Sequence, residues 1–373
     1  HLCGLQKWPL NWLSCWQRQV PNEGMRQMPC SRRTGARLNI GLAFLLVAAF
    51  CAGRQIARQK VSCALALPRS ARHPGLLVEE GRCFPSLSQD FLGRGYDILK
   101  LVGGDEVELN FMLDTGLTTS ILYPGRADEL GVERPSRQAH GEVPTVILED
   151  LRFREGLLIG SLRPFIMDFP QRRMGASMGM QIDGMLGMEF FERFTMEVDA
   201  SALRLYEADC GEKIAVANDM VTLTTAPLPA RLLGVHLGLP GSDQCVCGVI
   251  DTGASFTVLN WAAAKMLLNL AEEDAQQMLS SSGGVSSVDA KGRELLMPTV
   301  ADLSLQLRGA GRAPRRTWDA APVEVAIGDV ASFEQIFGQV VKPCALIGQD
   351  LLTQAPMLLA ARQRLLCLSE VSV

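Results

Sequence analysis

Two stretches of the chain share one pattern of apolar and polar positions. In "YDILKLVGGDEVELNFML", from Tyr96, an apolar run, a glycine-containing turn and a second apolar run lead to Asp114. "LLGVHLGLPGSDQCVCGVI", from Leu232, has the same order and leads to Asp251. Two short apolar runs joined by a turn predict a β-hairpin. Each hairpin thus ends on an aspartate, which is costly among apolar residues unless its carboxylate is satisfied.

The two stretches belong to a longer internal repeat. A shift of 137 places superposes "DTGLTTSIL", from Asp114, on "DTGASFTVL", from Asp251. A later segment, "DGMLGMEFFERFTMEVDASALRLY" from Asp183, aligns without a gap with "CALIGQDLLTQAPMLLAARQRLLCL" from Cys344 when the shift is 161 places. The second copy therefore has 24 additional residues between its motifs. The polar segment "RGAGRAPRRTWDA" is the candidate for part of this insertion.

The remaining patterns predict a mainly β protein with short helices, around Trp261–Leu270 and Phe190–Phe194. Strand-like segments are "PTVILEDLRFREGLLIG" and "LRPFIMDF" in the first half, and "TVADLSLQL" and "APVEVAIGDV" in the second. The predicted organisation is a targeting region (1–78), a linker (79–94), a first half (95–207), a second linker (208–230) and a second half (231–370).

Composition separates the N-terminal region from the rest. The 373 residues are 47% hydrophobic and 20% charged, with a net charge of −4, which suits a globular protein and gives no reason to expect a nucleic-acid partner. Residues 1–78, however, contain eleven basic residues and one acidic residue, Glu23. This asymmetry indicates two different kinds of segment.

The N-terminal pattern is typical of targeting sequences. The apolar stretch "IGLAFLLVAAFCAG" follows basic residues and has the length of a signal-peptide core. The next segment, "RQIARQKVSCALALPRSARHPG", is basic, alanine-rich and free of acids, like an organelle transit peptide. We expect entry into the secretory route or a plastid bounded by extra membranes. The alternative is a plain secretory signal or a single membrane anchor.

Cysteine and histidine spacing gives no metal or cofactor prediction. The eleven cysteines form no C-x-x-C pair, and none of the four histidines lies in an H-E-x-x-H motif. Cys245 and Cys247 lie on one face of their predicted strand. We therefore expect no metal and no cofactor.

The repeated Asp-Thr-Gly tripeptides indicate a chemistry. Two carboxylates that share one site cannot both ionise cheaply, so one keeps a proton and the pair acts as acid and base on a single water. Asp114 and Asp251 are the candidate catalytic residues. The supporting residues are Gly116 and Gly253 for tight turns, Thr115 and Thr252 for hydrogen bonds between the loops, and Thr118 and Ser255 for bonds to the outer carboxylate oxygens.

These motifs resemble those of the aspartic proteases, in particular two retropepsin-type domains in tandem over residues 95–370. Met185-Leu186-Gly187 and Leu346-Ile347-Gly348 match the apolar-apolar-glycine segment that lies behind the catalytic loop in that family. The resemblance implies an all-β, bilobal acid-protease fold made of two pseudo-symmetric halves. It also implies an endopeptidase that binds an extended polypeptide and works as a monomer with an intramolecular dyad.

Two features depart from the family pattern. Leu117 stands where the second copy has Ala254, and a bulky residue there could tilt the first aspartate. There is no tyrosine where a pepsin-like flap would lie, so a glycine-rich retropepsin-type flap is expected in "SSSGGVSSVDAKGREL", at Gly283 and Gly284. The first half offers only "SRQAHGEVPTV", and a single effective flap is therefore predicted.

Two other readings stay open from the sequence. The same fold could serve as a weakly active or inactive binding or dimerisation module. A different enzyme class is suggested by "GASMG" at Gly175–Gly179, a G-x-S-x-G motif that would make Ser177 the nucleophile of a serine hydrolase. That motif requires a preceding strand and a downstream histidine, for which only His236 is available. We interpret Ser177 as part of a mobile, methionine-rich loop that could line the cleft.

Overall fold

The computed structural model describes residues 89–92, 96–104, 106–131, 143–154, 156, 158–177, 179–199, 202–288, 294–311, 316–338 and 342–370. All of them belong to one compact unit, Val78–Val373. The predicted targeting region, 1–78, lies outside the described residues. In the part of the chain that the structure describes, no helix has the length and apolar character needed to cross a membrane.

The described residues are mainly in β-strands. The strands are β1 (Gln89–Leu92), β2 (Tyr96–Gly103), β3 (Val107–Leu113), β4 (Ile121–Leu122), β5 (Leu148–Phe153), β6 (Leu158–Leu162), β7 (Phe165–Ile166), β8 (Gly184–Leu186), β9 (Phe194–Asp199), β10 (Ala202–Glu207), β11 (Val221–Thr224), β12 (Ala226–Pro227), β13 (Leu233–Gly238), β14 (Cys245–Ile250), β15 (Val258–Leu259), β16 (Gly284–Val288), β17 (Glu294–Leu303), β18 (Gln306–Arg308), β19 (Thr317–Asp319), β20 (Val323–Ile327), β21 (Cys344–Ile347), β22 (Met357–Ala360) and β23 (Leu365–Leu368).

The helices are short. They are α1 (Pro124–Glu129), α2 (Pro170–Ser177), α3 (Met188–Phe191), α4 (Gly211–Ala217), α5 (Trp261–Leu268), α6 (Ala275–Ser282), α7 (Ala331–Phe337) and α8 (Gln349–Leu352), with 3₁₀ turns at Pro229–Arg231 and Glu272–Asp274.

The two large sheets have matching strand orders. The first runs β6-β5-β2-β3-β8-β4-β7, and the second runs β19-β18-β13-β14-β21-β15-β20-β17-β16. One further strand of each sheet corresponds as well, because β1 pairs with β2 as β12 pairs with β13. The second sheet therefore repeats the first and extends it by a hairpin. This confirms the predicted all-β fold made of two pseudo-symmetric halves.

Strand registers reproduce the sequence repeat residue by residue. Met112 pairs with Met185 across the parallel strands β3 and β8, and Val249 pairs with Leu346 across β14 and β21. These are the partners that the shifts of 137 and 161 places predict. The same holds for the parallel pairs β4/β7 and β15/β20. Sequence similarity between the motifs therefore reports real structural equivalence.

The additional residues of the second half fall in two places. Thr145 forms a β-bridge with Phe165, and Thr299 pairs with Ala326. Because Phe165 and Ala326 are equivalent in the repeat, Thr145 and Thr299 are equivalent too, and the shift between the copies has already grown to 154 places there. Most of the insertion therefore lies in the segment that forms α6 and β16. The remainder lies between β18 and β19, within the polar segment that begins at Arg308.

A third, five-stranded sheet joins the halves in the order β10-β9-β22-β23-β11. Glu197 of β9 pairs with Leu358 of β22, and Met196 pairs with Leu359. Glu197 and Leu358 are also equivalent in the repeat, so the pseudo-twofold axis passes between them. Residues 208–230, which we expected to be only a linker, contain α4, β11 and β12, and β11 pairs with β23. Because "VTLT" can pair with a free edge strand, this segment becomes part of the sheet.

A separate apolar cluster lies beside the main core, and we call it the Tyr96 cluster. Each large apolar side chain buried in this cluster contributes about 1.5–3 kcal/mol to the free energy of unfolding. Its members come from strands of the first sheet and from the segments around α2, and Leu117 packs against it. The buried members are Tyr96, Ile98, Met112, Ile121, Phe169, Ile182 and Met185, with Leu117, Tyr123, Met167 and Met180 partly buried around them.

Candidate active site

Asp114 and Asp251 occupy equivalent turns at the ends of β3 and β14. Their backbone N–H groups donate to Leu186 O and Ile347 O, each over 3.0 Å. Each carboxylate also accepts from its own turn: Gly116 N–H donates to Asp114 Oδ1 over 2.8 Å, and Gly253 N–H donates to Asp251 Oδ1 over 2.9 Å. The aspartates that end two buried strands are thus satisfied locally.

Thr115 and Thr252 bind the two turns to each other. The backbone N–H of each threonine donates to the hydroxyl of the other over 3.0 Å. The Thr115 hydroxyl donates in turn to Ile250 O over 2.8 Å, and the Thr252 hydroxyl donates to Leu113 O over 3.2 Å. Each hydroxyl therefore satisfies two buried backbone groups, and the four bonds fix the relative position of the turns.

Gly116 and Gly253 lie against the carboxyl group of the opposite turn. A Cβ atom at Gly116 would lie 2.7 Å from Asp251 Cγ, and one at Gly253 would lie 2.4 Å from Asp114 Cγ. Any side chain would collide with these carboxyl groups. The glycines therefore let the two aspartates approach one another.

The two aspartates form an asymmetric acid pair. Burial raises the pKa of Asp114 well above its usual range, and the negative charge of Asp251 raises it further. Burial raises the pKa of Asp251 to about 6, while hydrogen bonds from Gly253 N–H and from the Asp114 carboxyl group limit the rise. Near neutral pH the pair therefore holds one proton, and the pKa of Asp114 is the more strongly raised of the two.

The glycines behind each turn are also in close contact. Gly187 N–H donates to Ser120 Oγ over 3.0 Å, and Gly348 N–H donates to Thr257 Oγ1 over 3.2 Å. A Cβ atom at Gly187 would lie 2.9 Å from Leu117 O, and one at Gly348 would lie 2.4 Å from the carbonyl carbon of Phe256. Both positions require glycine because the helices α3 and α8 begin directly against the turns.

Sequence analysis missed a second set of polar contacts in this region. Ser120 N–H donates to Glu189 Oε1 over 2.6 Å, and Thr257 N–H donates to Asp350 Oδ1 over 2.8 Å. Ser120 aligns with Thr257, and Glu189 aligns with Asp350, in the same repeat registers. The repeat therefore contained a sequence signal for these contacts, because polar residues align with polar residues at both shifts.

Leu117 does not alter the turn that contains Asp114. Leu117 N–H donates to Asp114 O as Ala254 N–H donates to Asp251 O, over 3.3 and 3.2 Å. Met188 N–H and Gln349 N–H donate to the carbonyls of Leu117 and Ala254, both over 2.8 Å. The larger side chain of Leu117 packs against the Tyr96 cluster, so the backbone of the two turns is matched.

The hydroxyl groups of Thr118 and Ser255 are not where we expected them. The Ser255 hydroxyl is hydrogen-bonded to the Tyr96 hydroxyl, with 2.8 Å between the oxygens, rather than to Asp251. Within the described residues, the Thr118 hydroxyl has no hydrogen bond. The carboxylates instead take their bonds from Gly116 and Gly253. The sequence indicates only that Tyr96 begins a strand. No pattern in it predicts that Tyr96 lies beside the second turn.

The structure places Gly283 and Gly284 at the base of a β-hairpin. Gly283 ends α6 with a positive φ of 74°, and Gly284 begins β16, which pairs with β17. Val288 and Leu296 are 48% and 62% exposed and lie on one face of this hairpin. Its tip, residues 289–293, and much of the first-half candidate, residues 136–142, lie outside the described residues.

Ser177 does not occupy the turn that a serine nucleophile requires. It is the last residue of α2, so a helix stands where the motif needs a strand, and the mobile loop that we expected is a helix. His236 Nδ1 lies 3.3 Å from Cys245 Sγ. Pro170 is the first residue of this helix, a position at which its missing N–H is not needed.

The described cysteines are free thiols, and within the described ranges no group of three histidine, cysteine or acidic side chains is arranged to hold a metal ion.

Comparison with known proteins gives structural similarities alone. No protein-family model and no curated protein matches the chain. The crystal structure of basic 7S globulin from soybean matches with 11% identity and a TM-score of 0.44, covering 78% of this chain and 94% of that one. The crystal structure of a retropepsin-like aspartic protease from Rickettsia conorii matches with 19% identity and a TM-score of 0.24, covering 33% of this chain and 98% of that one.

Proposed function

We propose that the protein is an aspartic endopeptidase in which Asp114 and Asp251 activate one water molecule for peptide-bond hydrolysis. The observation that carries this proposal is the close approach of two carboxyl groups, buried Asp114 and partly buried Asp251, each of which lies against the glycine of the opposite turn. Their pKa values are raised unequally. An acid pair with separated pKa values can supply a base and an acid at the same pH.

The proposed reaction uses the proton that the two carboxyl groups share. Ionised Asp251 removes a proton from water as the water oxygen attacks the carbonyl carbon, and Asp114 donates its proton to the carbonyl oxygen. This gives a neutral tetrahedral intermediate. The C–N bond then breaks as Asp251 returns its proton to the amine nitrogen and Asp114 takes a proton from one hydroxyl. Both aspartates recover their starting states.

Asp114 is suited to the acid role by its surroundings. Its turn is flanked by Leu117 and Met188, whereas the second turn has Ala254 and Gln349 at these positions. Gln349 Nε2 donates to Thr252 O over 3.0 Å. A more apolar environment favours the neutral carboxyl form, which supports the same assignment of acid and base.

We further propose an extended polypeptide as the substrate, with the hairpin β16–β17 as the flap. Val288 and Leu296, two exposed apolar side chains on one face of the hairpin, suit contact with apolar substrate side chains. Because both aspartates belong to one chain, a monomer would hold the complete dyad. The reciprocal hydrogen bonds between Thr115 and Thr252 within one chain support the proposal of a monomer.

Cleavage of a mixed peptide library tests the proposed reaction. We expect the wild-type protein to cut internal bonds and a transition-state mimic with a central hydroxyl to inhibit it. Asp114→Asn and Asp251→Asn should each abolish cleavage, and the double variant should lose little more because the residues act as a unit. Cleavage that survives Asp251→Asn would exclude the proposal. A wild-type protein that binds peptides without cutting them would instead indicate the binding module.

Residues 1–78 are proposed to direct the protein to the secretory route or a plastid, on the strength of their charge and composition alone. A fluorescent reporter fused to this region should leave the cytosol. A cytosolic reporter would contradict the proposal.

A further inference from the structure

A hydrogen bond near the dyad joins the two halves on one side of the pseudo-twofold axis only. Tyr96 belongs to the first sheet, whereas Ser255 lies four residues after Asp251 in the second half. Their hydroxyl oxygens are 2.8 Å apart, and Tyr96 is almost completely buried. Unlike the exchange between Thr115 and Thr252, this bond has no symmetry-related copy.

The repeat shows why the second copy of the bond is missing. The equivalent of Tyr96 is Leu233, a buried apolar residue that cannot form a hydrogen bond. The equivalent of Ser255 is Thr118, whose hydroxyl has no hydrogen bond within the described part of the chain. The outer end of the Asp251 turn is therefore fixed to the first half, while that of the Asp114 turn has no such attachment.

We infer that Tyr96 is a positioning residue for Asp251, whose hydroxyl holds the second turn against the first half through Ser255. The inference rests on the proposed function for its role in catalysis. The reciprocal threonine bonds fix the inner ends of the two turns, and the Tyr96–Ser255 bond adds a second attachment. Two separated attachments to the first half restrict movement of the Asp251 turn relative to that half more than the threonine bonds alone would.

Burial, together with nearby charges, keeps the Tyr96 hydroxyl protonated. Burial raises its pKa above the ordinary tyrosine value, and the negative charges of Asp251 and Asp114 raise it further. Among the residues that the structure describes, these two aspartates are the charged groups that act on the phenol. Because Tyr96 keeps its proton over the whole range in which the aspartates titrate, the bond to Ser255 persists throughout the proposed reaction cycle.

The ring of Tyr96 has a separate structural role. It packs within the Tyr96 cluster, where Tyr123 is another aromatic member. Tyr96→Phe keeps the ring and removes only the hydroxyl. Tyr123→Phe is the matched control, since it removes a hydroxyl from the same cluster. Tyr123 stacks beneath Arg172, with 3.9 Å from the guanidinium carbon to the ring centroid, and Tyr123→Phe retains that ring.

The first measurement is independent of activity. The carboxyl carbon of Asp251, assigned with Asp251→Asn, is titrated by NMR in the wild-type, Tyr96→Phe, Ser255→Ala and Tyr123→Phe proteins. Loosening the turn admits water and reduces the burial that raises the pKa, so the titration midpoint should fall by about one pH unit in the first two variants. Tyr123→Phe should leave the midpoint unchanged. An unmoved midpoint in Tyr96→Phe would overturn the inference.

The second measurement is kinetic. Tyr96→Phe and Ser255→Ala should each lower kcat about tenfold, with KM within about twofold, because one hydrogen bond of positioning is lost. The double variant should lose no more than either single variant. If the wild-type protein cuts no peptide while the NMR midpoint still shifts, the proposed function fails and the positioning role stands. Equal losses in kcat for Tyr96→Phe and Tyr123→Phe would show that Tyr96 contributes only packing, which would overturn the inference.

Discussion

Thr115 and Thr252 lie in different halves of the chain, and each donates its backbone N–H to the other's hydroxyl over 3.0 Å. Both residues are buried. Their side chains also reach the carbonyls of Ile250 and Leu113, which precede the opposite aspartates. The exchange therefore couples the position of each carboxyl group to the backbone of the other half.

Replacement of either threonine by valine should destabilise the fold. Thr252→Val leaves the Thr115 N–H and the Leu113 carbonyl buried without partners, at a cost of about 2–3 kcal/mol in the free energy of unfolding. Urea denaturation measures the loss. Thr252→Ser keeps the hydroxyl and should recover most of the stability. If the serine variant is as unstable as the valine variant, the hydrogen bonds are not what the threonine contributes.

The aspartate pair should make stability depend on pH. The pKa of Asp251 is about 6 in the folded protein against an ordinary value of 3.8, and that of Asp114 is raised further. For a carboxyl group with a raised folded pKa, the stabilisation is complete below the unfolded value and is lost as pH rises through the folded value. Wild-type stability should therefore fall between about pH 4 and pH 6 and continue to fall above it.

The stability of the Asp114→Asn/Asp251→Asn variant should not fall in this way as pH rises. The double variant should be more stable than the wild type at pH 7 by about 2 kcal/mol, since solvent screens part of the effect at partly exposed Asp251. At pH 4 it should be no more stable than the wild type. Thermal unfolding at the two pH values provides the measurement. Asp209→Asn, at an exposed position, is the control, and it should change the stability by the same amount at pH 7 and at pH 4. A double variant that tracks the wild type at every pH would show that the carboxyl groups are not buried together.

The close approach of the turns predicts a selective effect of alanine. Gly116→Ala and Gly253→Ala place a methyl group against the opposite carboxyl group, so the aspartates must separate. Peptidase activity should fall more than about a hundredfold, since a displacement of about 1 Å can have this effect. Gly311→Ala, where a Cβ atom would make ordinary contacts with Thr224, should retain activity. Full activity in Gly116→Ala would mean that the two carboxyl groups need not touch.

The exposed face of the hairpin β16–β17 allows a test of the flap. Leu296→Ser should raise KM for apolar peptides about fivefold and leave the melting temperature unchanged, since Leu296 is already 62% exposed. Val216→Ser is the matched control, because Val216 is 77% exposed on α4. Equal KM values for the two variants would argue against substrate contact by this face.

The sequence repeat was sufficient to predict the matched sheets, because equivalent residues such as Met112 and Val249 keep their pairing partners. It also predicted the position of both aspartates and the exchange between Thr115 and Thr252. The role of residues 208–230 could not be predicted, since the partner of β11 is β23, a strand at the far end of the chain.

The Tyr96–Ser255 bond was equally inaccessible to the repeat, because it is present on one side only and joins residues 159 positions apart. Symmetry in the sequence predicts contacts that occur twice. Contacts that distinguish the two aspartates arise where the copies differ, and these need the three-dimensional structure.

The pH dependence of kcat/KM for a peptide substrate tests the shared proton most directly. We predict a bell-shaped profile whose acid limb lies near pH 6, where the pair loses its first proton, and whose alkaline limb follows loss of the second proton from the pair. Both limbs belong to the pair. Activity that stays constant from about pH 4 to pH 9, or that rises through this range without a second limb, would contradict a dyad that works with one proton.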